Sequence, residues 1–254
     1  MKLTFIGSGS AFTMDNYHSN MVLESQGKRL LIDCGGDARF ALRDQLLTSR
    51  DIDAVYISHL HNDHIGGLEW LAFATYFDPG KERPDLYAIV PLMSGIWTSL
   101  KGGLASLQAK QATLETYFDT HRLRVNNVFV WQDMGFMPIQ TIHIMDGYSI
   151  VSSFGLMIGI NTPERKTKKV FITTDTQNNP NQLQDFYNEA DVIFHDCETS
   201  NFKSGVHAHY EELKTLGDKT KKKMWLYHYQ DGKLPDAEKD GFTGFVKKGQ
   251  SFEF

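Results

Sequence analysis

The chain has 254 residues, of which 41% are hydrophobic and 22% charged, and a chain of this length and composition can bury one sizeable core. We therefore expect a single folded domain over residues 1–254 rather than a disordered or fibrous protein. The formal net charge is −5 and the lysines form no long basic block, which argues against binding of extended nucleic acid.

The first third of the chain alternates short β-strand patterns with turn residues. The predicted strands are LTFI (3–6), NMVLE (20–24), RLLID (29–33), DAVYIS (53–58) and LYAIV (86–90). Phe40, Leu42, Leu46 and Leu47 recur at roughly helical spacing behind Asp37, which is the candidate cap of a first helix.

A second helix is predicted after His64, where apolar residues at helical spacing run from Ile65 to Phe77. The region from Pro91 to about Tyr117 is rich in glycine and then amphipathic, and no definite element is assigned to it.

The second half of the chain returns to strand patterns with two helical segments between them. The predicted strands are NVFVW (127–131), PIQTIHI (138–144), SFGLMIGI (153–160), KVFITTD (169–175), DVIFHD (191–196) and MWLYHY (224–229), and the helical patterns lie near 183–189 and 210–216. Two strand-rich halves with helices between them predict two sheets covered by helices, an α/β layered sandwich.

The cysteines and the start of the chain indicate the compartment. Cys34 and Cys197 are far apart and form no C-x-x-C pair, which favours a reducing environment over a disulfide framework. LTFIG is too short for a signal peptide, and no later run approaches the ~18 apolar residues of a membrane span. We expect a cytoplasmic protein that does not enter a membrane.

The stretch SHLHNDHIGG (58–67) places His59, His61, Asp63 and His64 within six residues. Side chains two apart share one face of a strand, so the two leading histidines leave the end of DAVYIS together, and the other two residues fall where the next helix begins. Imidazole and carboxylate ligands suit zinc, manganese or iron. So dense a cluster fits two metals better than one.

A pair of metals about 4 Å apart needs a bridging carboxylate and more histidines. The chain supplies His143, Asp175 and His228, each after a short β-branched or aromatic run. The resulting hypothesis is listed by metal: His59, His61 and His143 on the first, Asp63, His64 and His228 on the second, and Asp175 between them. For a lone histidine at a strand end, a structural role is the alternative.

The pattern H-x-H-x-D-H followed by IGGL resembles the metallo-β-lactamase superfamily. The resemblance extends through GSGSA (7–11), LLIDCG (30–35) and ITTDT (172–176), and it implies a four-layer αββα sandwich. Members of the superfamily include thioesterases, lactonases, β-lactamases, oxidoreductases and nucleases, so the metal motif alone does not select a substrate.

Two further stretches resemble transfer-RNA 3′-processing endonucleases. SSFG (152–155) is similar to their PSYG element, and VIFHDCET (192–199) with GVHAHYEEL (205–213) is similar to their HEAT and HST elements. The resemblance implies that His207 is a proton donor and that Glu198 orients it. Asp196 is the competing partner and His209 the competing donor, and a surface helix cap is the structural alternative for His207.

This resemblance implies a phosphodiesterase mechanism in which Asp63 counts both as a ligand and as a catalytic residue. Hydroxide activated by the two metals would attack phosphorus, and the His207 imidazolium would protonate the departing sugar oxygen. A thioesterase or lactonase has less use for such a donor. His195 lies within an apolar strand and is interpreted as structural.

The chain lacks the long basic arm with which these endonucleases grip transfer RNA, because SSFGLMIGI leads through a short turn at 161–169 into the next strand. A substrate of mononucleotide size is therefore favoured. The whole chain most closely resembles the phage anti-Pycsar family, which implies a homodimer that opens 3′,5′-cyclic mononucleotides such as cyclic CMP, UMP, AMP and GMP to 5′-monophosphates. It would act in the host cytoplasm if the gene is carried by a phage.

Base-independent binding calls for stacking, because every base offers a π-face. Tyr76, Phe77, Trp97, Tyr117 and Phe118 could supply it, although packing in the core or at a dimer interface is the interpretation preferred for most of them. Three other functions remain open: an RNA 3′-end nuclease, a thioesterase or lactonase of the same fold, and a nucleotide-sequestering protein, which the full set of ligands disfavours. Zinc is the expected metal, with manganese as the alternative.

Overall fold

The computed structural model describes residues 1–161 and 167–254. Within these residues the chain divides into two compact units. The first comprises Met1–Gly7, Tyr17–Arg124 and Gly249–Glu253, and the second comprises Ser8–Asn16, Val125–Lys248 and Phe254. The expectation of a single domain stays a prediction.

The strands of the described residues, in chain order, are β1 (Lys2–Phe5), β2 (Met21–Ser25), β3 (Lys28–Ile32), β4 (Ala54–Ile57), β5 (Asp85–Ile89), β6 (Ser106–Leu107), β7 (Lys110–Gln111), β8 (Asp119–Leu123), β9 (Phe129–Trp131), β10 (Met134–Met145), β11 (Ile150–Asn161), β12 (Thr167–Ile172), β13 (Val192–Asp196), β14 (Met224–Tyr227), β15 (Gly244–Phe245) and β16 (Ser251–Glu253). The helices are α1 (Ala38–Asp44), α2 (Asn62–Ile65), α3 (Leu68–Tyr76), α4 (Val90–Leu104), α5 (Leu114–Tyr117), α6 (Pro180–Glu189), α7 (Tyr210–Leu213) and α8 (Asp218–Lys221), with a short 3₁₀ turn at Ser49–Asp51.

The sheet of the first unit has the strand order β16-β1-β2-β3-β4-β5-β8. Its pairs are antiparallel from β16 to β3 and parallel from β3 to β8. Every residue of β4 is buried, as expected for a central parallel strand whose two faces are both covered. The carboxyl ends of β3 and β4 therefore lie side by side.

The sheet of the second unit has the order β15-β14-β13-β12-β11-β10-β9. Its pairs are parallel from β15 to β12 and antiparallel from β12 to β9. Because β12, β13 and β14 are parallel neighbours, the residues that follow them come together at one edge of the sheet. An apolar core packs under this sheet and includes Phe171, Leu183, Tyr187, Ile193 and Leu213.

Most predicted elements are present with ends shifted by one to four residues, but the first helix differs in its details. Asp37 occupies the cap position without a side-chain capping bond, because its Oδ2 accepts from the backbone N–H of His18 at 2.9 Å. Leu42 is buried in α1 as expected, whereas Leu46 lies beyond the helix and is 93% exposed.

The segment around His64 forms two helices rather than one, since α2 ends at Ile65 with Gly66 as its C-cap and α3 begins after Gly67. Phe77, which was expected on the buried face, is 67% exposed. In the unassigned region, Pro91 sits at the start of α4, where its missing N–H costs no helical hydrogen bond.

The predicted turn at 161–169 includes residues 162–166, which lie outside the described residues. Among the described residues, no helix combines the length and the apolar composition that crossing a bilayer requires.

Candidate metal centre

The four clustered ligand candidates of the first unit surround the start of α2. His59 follows β4, His61 is the N-cap of α2, and Asp63 and His64 lie in its single turn. His59 Nε2 lies 3.0 Å from His61 Nδ1, and His64 Nε2 lies 3.1 Å from Asp63 Oδ2. The rings of His59 and His64 are 4.0 Å apart. The donor atoms thus converge as the strand-to-helix turn predicts.

Asp33 holds this turn in place and was given no role by the sequence. Its Oδ2 accepts from His64 Nδ1 at 2.8 Å and from the Ser58 hydroxyl at 2.7 Å, and its Oδ1 accepts from the Ser58 backbone N–H at 2.8 Å. A carboxylate behind a ligand histidine fixes the ring orientation and raises the basicity of the other nitrogen. The signal was the position of this carboxylate directly after β3; Asp175 likewise lies just beyond a strand, three residues after the end of β12.

The LLIDCG stretch also supports the turn through its backbone. Cys34 N–H donates to His64 O at 2.8 Å, and Gly67 N–H donates back to Cys34 O at 2.8 Å. A Cβ on Gly35 would lie 2.1 Å from the carbonyl oxygen of Asp63, so this position requires glycine. The resemblance of LLIDCG to the superfamily therefore has a local structural basis.

In the second unit, His143 and His228 flank Asp175. Nε2 of His143 lies 3.7 Å from Asp175 Oδ2, and Nε2 of His228 lies 3.6 Å from Asp175 Oδ1. All three side chains are about 1% exposed. Each carboxylate oxygen of Asp175 therefore faces a different histidine, which is the arrangement that a bridging ligand needs.

The orientation of the His143 ring is fixed by its surroundings. It lies at an irregularity in the pairing of β10 with β11, and its Nδ1–H donates to Val206 O at 2.8 Å. Burial lowers the pKa of His143 despite the nearby Asp175 carboxylate. A neutral ring whose Nδ1 carries the proton offers Nε2 as the metal-binding atom.

The turn that presents Asp175 has a strained backbone supported by hydroxyl groups. Thr174 has φ +52°, a rare value for a β-branched residue. Its hydroxyl lies 2.8 Å from that of Ser153, and the Thr141 hydroxyl donates to Asp175 O at 3.0 Å. A Cβ on Gly155 would lie 2.5 Å from Ile172 O. The SSFG stretch thus supports the turn that carries Asp175.

His207 lies in the same cluster, and its partner corrects the prediction. Its Nδ1 is 2.8 Å from Asp196 Oδ2, so the competing carboxylate, not Glu198, orients it. The Glu198 carboxylate instead accepts from the backbone N–H of Ser204 at 3.0 Å. Residues two apart share one face of a strand, but β13 ends at Asp196, and Glu198 lies in a separate bridge with His209.

The electrostatics of His207 suit a proton donor. Burial disfavours its charged form, but the Asp196 carboxylate outweighs this effect and the pKa of His207 is raised. Asp175, Asp196, His207 and His228 offer donor atoms that all lie within 4.8 Å of one another.

His209 and His195 have structural roles. His209 caps α7, because its Nδ1 accepts from Glu211 N–H at 3.2 Å while its Nε2–H donates to Ser200 O at 3.0 Å. The helix-capping alternative considered for His207 thus applies to His209. His195 is fully buried between Tyr187 OH and Asp196 O, at 2.6 Å from each, as its apolar strand indicated.

Two of the aromatic residues considered for base stacking are core residues. Tyr117 and Phe118 are fully buried, and Tyr117 OH donates to Leu104 O at 2.7 Å. They belong to the core of the first unit, as preferred from the sequence.

Buried imidazole nitrogens and carboxylate oxygens in these numbers are the donors of zinc and manganese sites, so the residues of both units fit divalent metal ions. The set at the start of α2 offers three histidines and a carboxylate. The set at the ends of β12 and β14, with the irregular β10, offers two histidines and the carboxylate of Asp175.

The sequence matches the family model described as Anti-Pycsar protein Apyc1 over residues 1–252. Among curated relatives, the Anti-Pycsar protein Apyc1 of Bacillus phage vB_BveM-Goe7 is 31% identical over 262 aligned positions, covering 98% of this chain and 96% of the relative. The Anti-Pycsar protein Apyc1 of Paenibacillus harenae is 34% identical, and the alignment covers 91% of this chain and 90% of the relative.

Solved structures confirm the metallo-β-lactamase fold. The metallo-β-lactamase fold protein YhfI from Bacillus subtilis matches with a TM-score of 0.76 at 20% identity and covers 99% of each chain. The short form of human tRNase Z matches with a TM-score of 0.70 at 20% identity, covering 100% of this chain and 99% of its own.

Proposed function

Because the chain belongs to the Anti-Pycsar protein Apyc1 family, we propose that it is a metal-dependent phosphodiesterase that counters antiviral cyclic-nucleotide signalling. Its proposed substrates are 3′,5′-cyclic mononucleotides, including cyclic CMP, UMP, AMP and GMP, and its products are the linear 5′-monophosphates. The observation that carries the proposal is the hydrogen bond of 2.8 Å between His207 and Asp196 beside the candidate ligands Asp175 and His228.

The proposal assigns two divalent ions to each chain, zinc in the first place and manganese as the alternative. The proposed ligands are those of the sequence hypothesis: His59, His61, Asp63, His64, His143, Asp175 and His228. Bound metals supply a nucleophilic water at neutral pH and offset negative charge at phosphorus. The donor chemistry of each set and the two-sided environment of Asp175 support this assignment.

His207 is the proposed proton donor. Its Nδ1 is engaged by Asp196, so the second nitrogen, Nε2, carries the proton that can be transferred. A water would add its oxygen to phosphorus and release a proton to solvent, the bond from phosphorus to O3′ would break, and Nε2–H would protonate O3′ as it leaves. Against the opposing effect of burial, the Asp196 carboxylate raises the pKa of His207, which favours the protonated form that a proton donor needs.

A small substrate is supported by the net charge of −5, which gives no electrostatic attraction for a polymer of phosphates. We further propose a homodimer acting in the host cytoplasm where the gene is carried by a phage. Light scattering coupled to size-exclusion chromatography tests the dimer by its molar mass.

The function is tested by incubating metal-loaded protein with each cyclic nucleotide and separating the products by chromatography. We expect 5′-monophosphates from the wild-type protein and none from Asp63→Ala. His121→Ala is the matched control, because this half-exposed histidine pairs with Asp85 at 2.7 Å and lies outside the ligand sets.

Inertness toward all four cyclic nucleotides would contradict the proposal. In that case, cleavage of precursor transfer RNA would identify an RNA 3′-end nuclease, and turnover of thioesters or lactones that survives removal of the His207 side chain would identify another hydrolase of this fold.

A further inference from the structure

Two large apolar side chains project from the Ser8–Asn16 loop of the second unit. Phe12 and Met14 are each 90% exposed, although Ser8, Gly9, Ser10 and Thr13 of the same loop are buried. The loop is therefore packed at these four residues, whereas Phe12, Met14 and the neighbouring Asp15 are exposed.

Asp231 fixes the conformation of the loop through four hydrogen bonds. Its Oδ1 accepts from the Thr13 hydroxyl at 2.5 Å and from Asn16 Nδ2 at 2.6 Å. Its Oδ2 accepts from the backbone N–H groups of Met14 at 2.5 Å and Asp15 at 3.3 Å. Although burial opposes ionisation, these bonds lower the pKa of Asp231, so the anchor stays charged at neutral pH.

The base of the loop is closed as tightly as its tip. Ser8 N–H donates to Asn16 O at 3.1 Å, which brings the two ends together. A Cβ on Gly9 would lie 2.5 Å from the Thr13 hydroxyl, so the loop packs on itself at a position that only glycine allows. Phe12 and Met14 are consequently presented by a fixed backbone.

The loop is attached to the residues that follow β14, including the candidate ligand His228. The backbone N–H of His228 donates to Ser8 O at 2.8 Å, and Ser10 N–H donates to Tyr229 O at 3.0 Å. Two residues of extended chain span at most about 7 Å, so Phe12 lies within that reach of Ser10. The backbone of Phe12 is thus two residues from a hydrogen bond to Tyr229, the residue that follows the candidate ligand His228.

We propose that Phe12, assisted by Met14, is the platform on which the nucleobase of the substrate stacks. Stacking on an aromatic face tolerates every base, and a ring held by a fixed loop loses little freedom when a ligand binds. A second copy of the chain is a poorer occupant, because two side chains of at most ~250 Å² each fall short of the ~800 Å² per partner of a stable interface. This inference rests on the proposed function.

The test compares cyclic nucleotides with a base-free analogue, methyl riboside 3′,5′-cyclic phosphate. Phe12→Ala is expected to raise KM for all four cyclic nucleotides roughly 5- to 100-fold, with kcat and the KM of the analogue unchanged. Phe12→Tyr should restore the wild-type KM. Asp231→Ala, which keeps the ring but removes its anchor, should raise KM in the same substrate-selective way.

Leu46→Ala is the control, because Leu46 is 93% exposed in the first unit and has no proposed role. An unchanged KM in Phe12→Ala, an equal change with the base-free analogue, or a change in molar mass would overturn the inference while the wild-type protein remains active. If the wild-type protein hydrolyses none of the four cyclic nucleotides, the proposed function is overturned and, with it, the nucleobase as the ligand of Phe12.

Discussion

Asp175 is the residue whose surroundings say most about the chemistry, because its two carboxylate oxygens face His143 and His228 at nearly equal distances. Carboxylates of this kind serve as bridges in two-metal hydrolases. Asp196 stands next to it but is engaged by His207 and by the Thr176 backbone N–H at 2.8 Å each. The two aspartates therefore have different partners, since Asp175 faces His143 and His228 while Asp196 faces His207 and, at 3.3 Å, Nδ1 of His228.

Replacing His207 tests the assignment of the general acid. His207→Gln is expected to lower kcat for cyclic nucleotides by about 10²- to 10⁴-fold, because O3′ would then leave unprotonated. The kcat of this variant for a p-nitrophenyl phosphodiester should fall far less, since the p-nitrophenolate leaving group needs no proton. Steady-state kinetics on both substrates measure the difference.

His209→Asn is the matched control, since asparagine also caps helices and the contacts of His209 are structural: it caps α7 and donates to Ser200 O. A loss of activity in His209→Asn with full activity in His207→Gln would reverse the assignment of the two histidines.

Asp33 provides a second prediction at this scale. Asp33→Asn is expected to weaken zinc affinity about 10- to 100-fold, because the amide accepts a weaker hydrogen bond from His64 Nδ1 than the carboxylate does. Asparagine tolerates the positive φ of +61° at this position, so the backbone should be preserved. Competition with a chromogenic chelator measures the affinity.

Asp185→Asn, on the exposed face of α6, is the control for Asp33→Asn and should bind zinc as the wild-type protein does. Equal affinity in the two variants would show that Asp33 does not tune the site.

Among the elements, the turn after β12 depends most on its neighbours, because β11 must approach it closely at Gly155. Gly155→Ala is expected to lower the free energy of unfolding by about 1–3 kcal/mol, since the added methyl meets Ile172 O at 2.5 Å and Thr173 O at 2.6 Å. Bound metal should fall as well, because this turn presents Asp175. Urea denaturation and metal analysis are the measurements.

Gly102→Ala makes the opposite prediction and serves as the control. Gly102 lies in α4 with nothing within 4 Å of an added Cβ, so alanine should stabilise the helix by up to about 1 kcal/mol. Similar effects of the two substitutions would contradict the close approach at Gly155.

Sequence patterns predicted elements best where apolar residues form a continuous run between turn residues. DAVYIS became β4 within one residue at each end because every residue of that strand is buried. No strand was predicted at β8, because its sequence DTHRL is polar. A polar sequence is common in a strand at the edge of a sheet, which is where β8 lies. Nor was a strand predicted at β16, which is too short to show a period.

The ligand candidates were predictable because metal-binding side chains at strand ends form a chemical pattern as well as a positional one. Residues that support them were not, since Asp33, Ser153 and Thr141 act through contacts distant in sequence. Whether Asp196 or Glu198 orients His207 likewise depended on where β13 ends, which no local pattern specifies.

At the scale of the whole molecule, the family model matches residues 1–252 and the fold match to YhfI covers 99% of the chain. The ligand candidates are likewise spread along the chain. They come from β4 and α2 in the first unit and from β10, β12 and β14 in the second. The proposal that both sets serve one pair of metals therefore makes a claim about the entire chain.

The most direct test of that claim is the number of metal ions bound per chain, measured by mass spectrometry of the dialysed protein. We predict two ions for the wild-type protein and for His121→Ala, and fewer than two for Asp175→Ala. A single ion or none in the wild-type protein would contradict the account.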